Sequence, residues 1–411
     1  MTNKTEGLRI ALISAFPPAR QSLNEYGLNL ALGFARRDDV AEVIVIADRC
    51  DDDIAELDLG PKIRVRRTWD FNSPMAALQI TRALRKERAD AALFNIQTAS
   101  FGNWEVPAAL GLFAPALARL TGTRSGVLAH NLIGGIDLDN TQLKGQRIRQ
   151  AITRLGGAVV NRALMSADYL AVTLESYREM VARDYPKANV ALIPHGTFDT
   201  VDRPVRPSAE RPMRIVTMGK FGTYKRLETL VAAFEILSKD PRFANLELVI
   251  GGTDHPGTPG YMASVAEKTK GNGRIRFAGY LAEEDIPAFF GDARVSAFDY
   301  ESTTGSSGVL HQTASYGAVP VFPRIGDFID VCRDEGLSGL NYAPGDAAGM
   351  AQAMADILSD PAMADTLAES NRAASMGMPF DDVIARHMTL LTNQGDREST
   401  LPANESAACP T

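Results

Sequence analysis

Two lysines five residues apart, Lys220 and Lys225, sit in the run Gly219-Lys220-Phe221-Gly222-Thr223-Tyr224-Lys225-Arg226. That run leaves an apolar strand-like segment, Arg214 to Met218, and enters a helix-period segment, Arg226 to Ser238. Cations at such a turn can converge with helix N-terminal amides on an anion, ideally a diphosphate. A second segment, Thr304-Gly305-Ser306-Ser307-Gly308-Val309, follows the strand-like Val295 to Phe298 and opens a helix with Leu310 and Ala314 on its apolar side. Its small residues let backbone N–H groups turn together toward phosphate oxygens, and its hydroxyls add donors. Alone, the first segment also fits an ordinary surface turn and the second a solvent loop with an N-cap serine. Together they describe two anion cradles.

Short β-rich runs alternate with helical periods along the chain, the pattern of parallel sheets built from βαβ units. The first series of strands is expected at Leu8 to Ser14, Val43 to Ala47, Ala91 to Asn95, Gly126 to His130, Tyr169 to Thr173 and Val190 to Pro194. The second is expected at Arg214 to Met218, Leu246 to Ile250, Ile275 to Ala278, Val295 to Phe298 and Val319 to Phe322. Between the series lies the proline-rich, charged segment Asp199 to Pro212, which suits an interdomain linker. The expected division is one Rossmann-like domain over 1–205, a second over 206–392 whose last helix can pack back on the first, and a polar tail over 393–411. Two doubly wound α/β domains leave a cleft lined by strand C-termini and helix N-termini, where a ligand belongs.

Composition narrows the alternatives. A chain of 411 residues with 45% hydrophobic and 23% charged residues is that of a folded protein of two domains. The net charge of -7 divides into +2 over 1–205 and -9 over 206–411, and neither half has the basic balance of a nucleic-acid binder. No apolar run reaches the roughly 18 residues of a membrane span. The N-terminus lacks a signal peptide's continuous apolar core, so a cytoplasmic protein is expected. Cys50, Cys332 and Cys409 lie too far apart for a disulfide framework or a metal site. The acidic strings at Asp51 to Asp53 and Asp137 to Asp139 read as loop acids rather than metal ligands. Basic clusters occur at Lys62 to Arg67 and at Lys144 to Arg154. The second is amphipathic and suits either a solvated helix face or peripheral contact with an anionic membrane.

The motifs, taken in order, resemble those of the family 4 retaining glycosyltransferases, which have the GT-B architecture. Similarity runs from about Leu8 to about Met388. Phe16-Pro17-Pro18 followed by Gln21-Ser22 falls where the family has a proline pair and a glycine pair; Val127 to Asn131 matches its strand ending in histidine, at His130. Ile193-Pro194-His195-Gly196 is similar to its Ile-Pro-Asn-Gly turn, and Gly219-Lys220-(x4)-Lys225-Arg226 to its Gly-Arg-x4-Lys-Gly. Arg276 to Tyr280 resembles the segment that packs on the nucleotide base, followed by an acidic helix over Glu283 to Asp292.

The resemblance implies metal-independent transfer, with retention, from a UDP-, GDP- or ADP-sugar to an acceptor hydroxyl, and calls for no cofactor. A glycan or lipid-linked acceptor and a place in polysaccharide or glycoconjugate synthesis are implied in the same way. Lys220, Lys225 and His130 are the expected catalytic residues. Gly219, Thr304 to Val309, Gln312 and Tyr280 are expected on the donor, and Gln21, Ser22 and Asn24 on the acceptor side. The chain departs from the family at its Glu-x7-Glu motif, where Thr304 and Gln312 replace both glutamates. Gln312 could still bind ribose hydroxyls through its amide, and Glu301 lies three residues before Thr304. The alternative is a non-catalytic GT-B protein that binds a nucleotide-sugar or acts as a partner subunit.

Overall fold

The structure is a computed structural model that describes residues 7–19, 21–50, 57–132, 147–198, 204–302 and 305–392, with the backbone alone over 147–155. Thirteen strands form two parallel sheets among these residues. The first contains β1 (Leu8–Ile13), β2 (Val40–Asp48), β3 (Ile63–Trp69), β4 (Ala91–Ile96), β5 (Arg124–Ala129), β6 (Tyr169–Val172) and β7 (Val190–Leu192), in the order 3-2-1-4-5-6-7. The second contains β8 (Arg214–Phe221), β9 (Glu247–Asp254), β10 (Ile275–Gly279), β11 (Val295–Ala297), β12 (Val319–Pro323) and β13 (Leu340–Tyr342), in the order 10-9-8-11-12-13.

The helices of the first series are α1 (Asn24–Ala35), α2 (Ala76–Glu87), α3 (Glu105–Gly111), α4 (Ala114–Ala118), α5 (Arg147–Leu164) and α6 (Glu175–Asp184). Those of the second are α7 (Glu228–Leu237), α8 (Tyr261–Thr269), α9 (Ile286–Gly291), α10 (Gly308–Tyr316), α11 (Gly326–Glu335), α12 (Ala347–Ser359), α13 (Pro361–Met376) and α14 (Phe380–Thr392).

Strands such as β1 (LRIALI) and β4 (AALFNI) are apolar at nearly every position because helices cover both faces of the sheet. Both sheets reverse their winding beside the first strand of their series, between β1 and β4 and between β8 and β11. Loops leaving adjacent strands there diverge to opposite faces and open a crevice at the strand C-termini. The loop after β1, the turn after β8 that leads from Lys220 to Lys225, and the loop after β11 all leave from these points.

The cluster Lys62 to Arg67 is largely strand β3, at the sheet edge. Ile63 and Val65 alternate with Arg64 and Arg66; Arg64 pairs with Glu42 at 2.7 Å and Glu87 at 2.9 Å, and Arg66 with Glu87 at 3.2 Å. The cluster is therefore a neutralised edge strand. The acidic segment after β10 is a short 3-10 turn, Glu283–Asp285, before α9 rather than one helix.

Helix α14 belongs spatially to the first sheet. Phe380, Val383, Ile384, Met388 and Leu391 join Ile10, Leu12, Tyr26 and Leu30 in one buried cluster. At roughly 1.5–3 kcal/mol for each large apolar side chain buried, this ties the chain's end firmly to its beginning. Gly33 makes the approach possible: a Cβ there would lie 2.6 Å from Ile384 Cγ1. The Tyr169 hydroxyl lies 2.9 Å from His387 Nδ1 beneath the same helix.

Candidate functional site

The first-domain wall is built from three neighbouring strands. Ser14 follows β1, Asn95 is in β4 and His130 follows β5. Ser14 Oγ donates to the Ala15 carbonyl at 2.7 Å, so it accepts from Asn95 Nδ2 at 2.9 Å. This orients Asn95 Oδ1 toward His130 Nε2, 2.7 Å away, and places the imidazole proton on Nε2. Burial pushes the His130 pKa down to about 3. His130 is thus a neutral residue with Nδ1 as its remaining acceptor, unsuited to donating a proton at neutral pH.

The loop from Phe16 to Leu23 is held from below. Arg67 donates to the carbonyls of Phe16 at 3.0 Å and Pro17 at 2.5 Å, and Asp48 Oδ1 accepts from the Phe16 amide at 3.1 Å. Burial raises the Asp48 carboxyl to about 6 despite Arg67 nearby. Of the expected acceptor-side residues, Asn24 uses its side-chain amide to hold the Ala19 carbonyl at 2.8 Å. Gln21 is partly exposed and Ser22 exposed at the loop's surface.

On the facing domain, Gly219 and Lys220 lie in the last residues of β8, paired with β9. Gly252, at φ 124°, permits this closeness, since a Cβ there would lie 1.9 Å from the Gly219 carbonyl oxygen. The chain returns at Lys225, which forms an isolated antiparallel bridge with Tyr300, and Lys225 Nζ stands 4.7 Å from the centre of the Tyr300 ring. A Cβ on Gly219 would come within 3.8 Å of the same ammonium. Lys220 and Lys225 therefore share one field. Burial first, and then Lys225, hold the Lys220 pKa below its ordinary value, while Glu25 of α1 partly offsets them across the cleft.

A third basic group, His255, was not visible in the sequence pattern. It follows β9 and feels both lysines; burial and their charges push its pKa down. The Gly257 amide donates to its Nδ1 at 3.0 Å, which leaves the proton on Nε2. No motif flags this residue. Only the pairing of β8 with β9 brings it to the lysines.

The two expected helix N-termini have different fates. Asp299 Oδ2 accepts from the amides of Thr229 at 2.8 Å and Leu230 at 3.2 Å, so the terminus of α7, beyond the lysine turn, already holds a protein carboxylate. The anion site expected there is filled. At α10, Ser307 is the N-cap and accepts from Leu310, while the Gly308 and Val309 amides have no acceptor among the described residues. The Gly305 amide donates to Asp327 Oδ2 at 2.6 Å and is spent. Ser306 Oγ is buried without a hydrogen-bond partner. The available donors thus narrow to Ser306, Gly308 and Val309; Thr304 lies outside the described residues. Glu301 is exposed on the Arg226 side, its amide bound to the Tyr224 carbonyl at 2.8 Å.

Beside α10 is a cleft of about 350 Å³ lined by residues that include Asn29, His195, Glu283, Gly308, His311 and Gln312. Gln312 is one of these lining residues. Tyr280 is 64% exposed, after the Gly279 turn, and is not among the lining residues. His195, buried and kept neutral chiefly by burial, stacks on His311 with centroids 4.5 Å apart and planes 20° apart. His311 donates from Nδ1 to the Ser307 carbonyl at 2.8 Å, and its Nε2 lies 2.6 Å from Glu335 Oε2. Burial disfavours the imidazolium, but the Glu335 charge and hydrogen bond outweigh it and raise the pKa. Helix α11 therefore grips the loop before α10 twice, through Asp327 at Gly305 and through Glu335 and His311 at Ser307.

Among the described residues no group of three His, Cys, Asp or Glu side chains is placed to hold a metal ion, and no helix is long and apolar enough to cross a membrane. The acidic strings at 51–53 and 137–139, Cys409 and residues 144–146 of the basic amphipathic segment lie outside the described residues.

Residues 212–360 match the sequence family described as glycosyl transferases group 1. The second domain is a group 1 glycosyltransferase domain. A curated relative, mannosylfructose-phosphate synthase of Agrobacterium fabrum, is 25% identical over 141 residues, which are 30% of this chain and 31% of that protein. The chain thus matches about a third of that relative's length. Sucrose-phosphate synthase from Thermosynechococcus elongatus superimposes with a TM-score of 0.70 at 19% identity, over 93% of this chain and 98% of that one. Anabaena HepE in complex with UDP-glucose gives 0.66 at 15% identity, over 93% and 99%. The glycosyltransferase domain and the sheet before it together form the GT-B architecture.

Proposed function

We propose that the chain transfers a sugar from a nucleoside-diphosphate donor to an acceptor hydroxyl, with retention at the anomeric carbon and with positive charge supplied by side chains and amides. The observation that carries this reading is the shared field of Lys220, Lys225 and His255, together with the unpartnered Ser306 hydroxyl and the uncommitted Gly308 and Val309 amides at the start of α10. The leaving diphosphate would lie between them. Negative charge grows on its oxygen as the sugar bond breaks, so cations and fixed amides stabilise the transition state more than the ground state.

In the proposed step the acceptor oxygen bonds to C1 on the face from which the phosphate departs. The C1–O bond to phosphate breaks, and the acceptor proton passes to the leaving phosphate oxygen. No protein base is needed. His130, neutral, would offer only Nδ1 as an acceptor to a sugar hydroxyl. Gln312, in the 350 Å³ cleft, would meet the ribose, Tyr280 would stand at the rim on the base side, and Gln21, Ser22 and Asn24 would face the acceptor.

UDP-glucose is the first donor to test, because HepE is held in complex with it. The acceptor is proposed to be a glycan or lipid-linked hydroxyl in polysaccharide or glycoconjugate synthesis, with the enzyme on the cytoplasmic side. Calorimetry with UDP-, GDP- and ADP-sugars, followed by an assay of released nucleoside diphosphate and NMR of the product anomer, tests the proposal. Tight binding without release would assign a non-catalytic binding role instead. Failure of every donor to bind would remove both.

A further inference from the structure

Large apolar side chains left exposed among the described residues are concentrated on one part of the first domain. Met75 and Leu78, at the start of α2, are 44% and 41% exposed; Trp104 and Val106, at the start of α3, are 68% and 65% exposed. Leu110 on α3 and Leu120 in the turn after α4 continue the series. Asn72 holds the two starts together: its amide donates to the Phe101 carbonyl at 2.9 Å, and its Oδ1 accepts from the Asn103 amide at 2.7 Å. The turn carrying Leu120 packs on α2 as well.

Cations accompany these residues. Arg82, Arg85 and Lys86 are exposed on α2, and at 100° per residue they fall on the same side of the helix as Met75 and Leu78. Arg119 is exposed beside Leu120. None of the four makes an ion pair or side-chain hydrogen bond among the described residues. The acids on these elements are Glu87, taken by Arg64 and Arg66, and Glu105. An apolar surface bordered by unpaired lysine and arginine is unlike an ordinary solvated helix face, which mixes charges of both signs. It has the chemistry of a surface that enters the headgroup boundary of an anionic bilayer.

We infer that the α2–α3 face, extended by Arg119 and Leu120, docks on an anionic membrane surface, with Trp104 and Val106 entering the acyl boundary and Arg82, Arg85 and Lys86 against the headgroups. This face differs from the basic segment at 144–154. It is also independent of the sugar-transfer reading, since it needs no donor. Its apolar end lies at the start of α3, which follows the C-terminal end of β4, the side of the sheet where the cleft opens.

The protein has two tryptophans, and they report on different places: Trp69 is 1% exposed and Trp104 is 68% exposed. Added vesicles of phosphatidylcholine with phosphatidylglycerol should shift the emission to shorter wavelength and sediment the protein, whereas phosphatidylcholine alone should do neither. The variant Arg82→Glu/Arg85→Glu/Lys86→Glu should bind at least about a hundredfold more weakly, from roughly fivefold per cation. Trp104→Ser/Val106→Ser should lose the spectral shift and most of the sedimentation. All five positions are on the surface, and unchanged circular dichroism would show that the variants fold. Absence of binding to anionic vesicles at low salt overturns the inference, as does equal binding by the triple variant. A change from dimer to monomer in the Trp104→Ser/Val106→Ser variant, without vesicle binding by the wild type, would assign the face to self-association instead.

Discussion

The backbone carbonyl of His130, at the end of β5, occupies the space that a side chain at Gly305 would need. A Cβ built on Gly305 would lie 1.9 Å from that oxygen, and the glycine's φ of 110° disfavours any other residue. The loop before α10 in one domain thus rests directly on the main chain of the other. Gly305→Ala is expected to displace the loop by several tenths of an ångström or more. We expect turnover to fall on the order of a hundredfold, the cost of misplacing a catalytic element by about 1 Å. Released nucleoside diphosphate measures it, and a variant with wild-type kcat/KM would show that this contact does not set the loop.

Lys225→Ala is expected to raise the barrier to transfer by about 2–4 kcal/mol, the range for a lost transition-state charge contact. The same substitution removes a repulsion that holds the Lys220 pKa below its ordinary 10.5. The residual activity should therefore decline at a higher pH than in the wild type. Glu25→Gln should move that decline to lower pH, because it removes an attraction that favours the Lys220 charge. Alkaline pH–rate profiles of the three proteins check both shifts, and identical profiles would exclude the coupling.

The buried pair His311–Glu335 is expected to show strong non-additivity. Glu335→Leu leaves an unpaired imidazole against the Ser307 carbonyl and should cost about 3–5 kcal/mol of stability, the usual result of breaking a buried pair from one side. His311→Leu/Glu335→Leu should recover much of that loss, since two apolar groups need no partner. Donor KM in the double variant is the informative readout. It should stay raised if the pair positions α10, and match the wild type if the pair only stabilises the fold.

Acid should destabilise the protein from near-neutral pH downward. Burial holds folded His130 and His387 neutral to about pH 3, whereas the unfolded chain takes up those protons near 6.5. Each histidine removes up to about 1.4 kcal/mol per pH unit across that window. Asp48 acts oppositely: its folded pKa of about 6 lies above the unfolded 3.8, so its contribution grows as pH falls between those values and is lost again as pH rises through 6. Two histidines outweigh one carboxyl. Urea denaturation at pH 7 and pH 5 should show the net loss, to which buried His195 adds in the same direction, and His387→Phe should reduce the slope without abolishing it.

The alternating periods and the lysine turn were legible in the sequence because each depends on residues close together in the chain. Strand β3 was not recognised as a strand, since its outward residues are arginines whose neutralising partners, Glu42 and Glu87, lie on other elements. His255 carries no signal in the sequence, because the loop after β9 reaches the lysines only through sheet pairing. The helix terminus of α7, which the lysine turn makes a natural anion site, is filled by Asp299 from 70 residues away.

By itself, then, the sequence determined two βαβ-built halves, a turn carrying two lysines and a glycine- and serine-rich loop, because helix and strand periods and turn chemistry are local. Which donors of that loop stay open was decided only by tertiary structure. Asp327 takes the Gly305 amide from 22 residues away, Glu335 reaches His311 across 24, and His387 meets Tyr169 across 218. Such pairings are made by packing helices onto sheets, and nothing in the spacing of residues along a chain encodes which buried donor will find which acceptor.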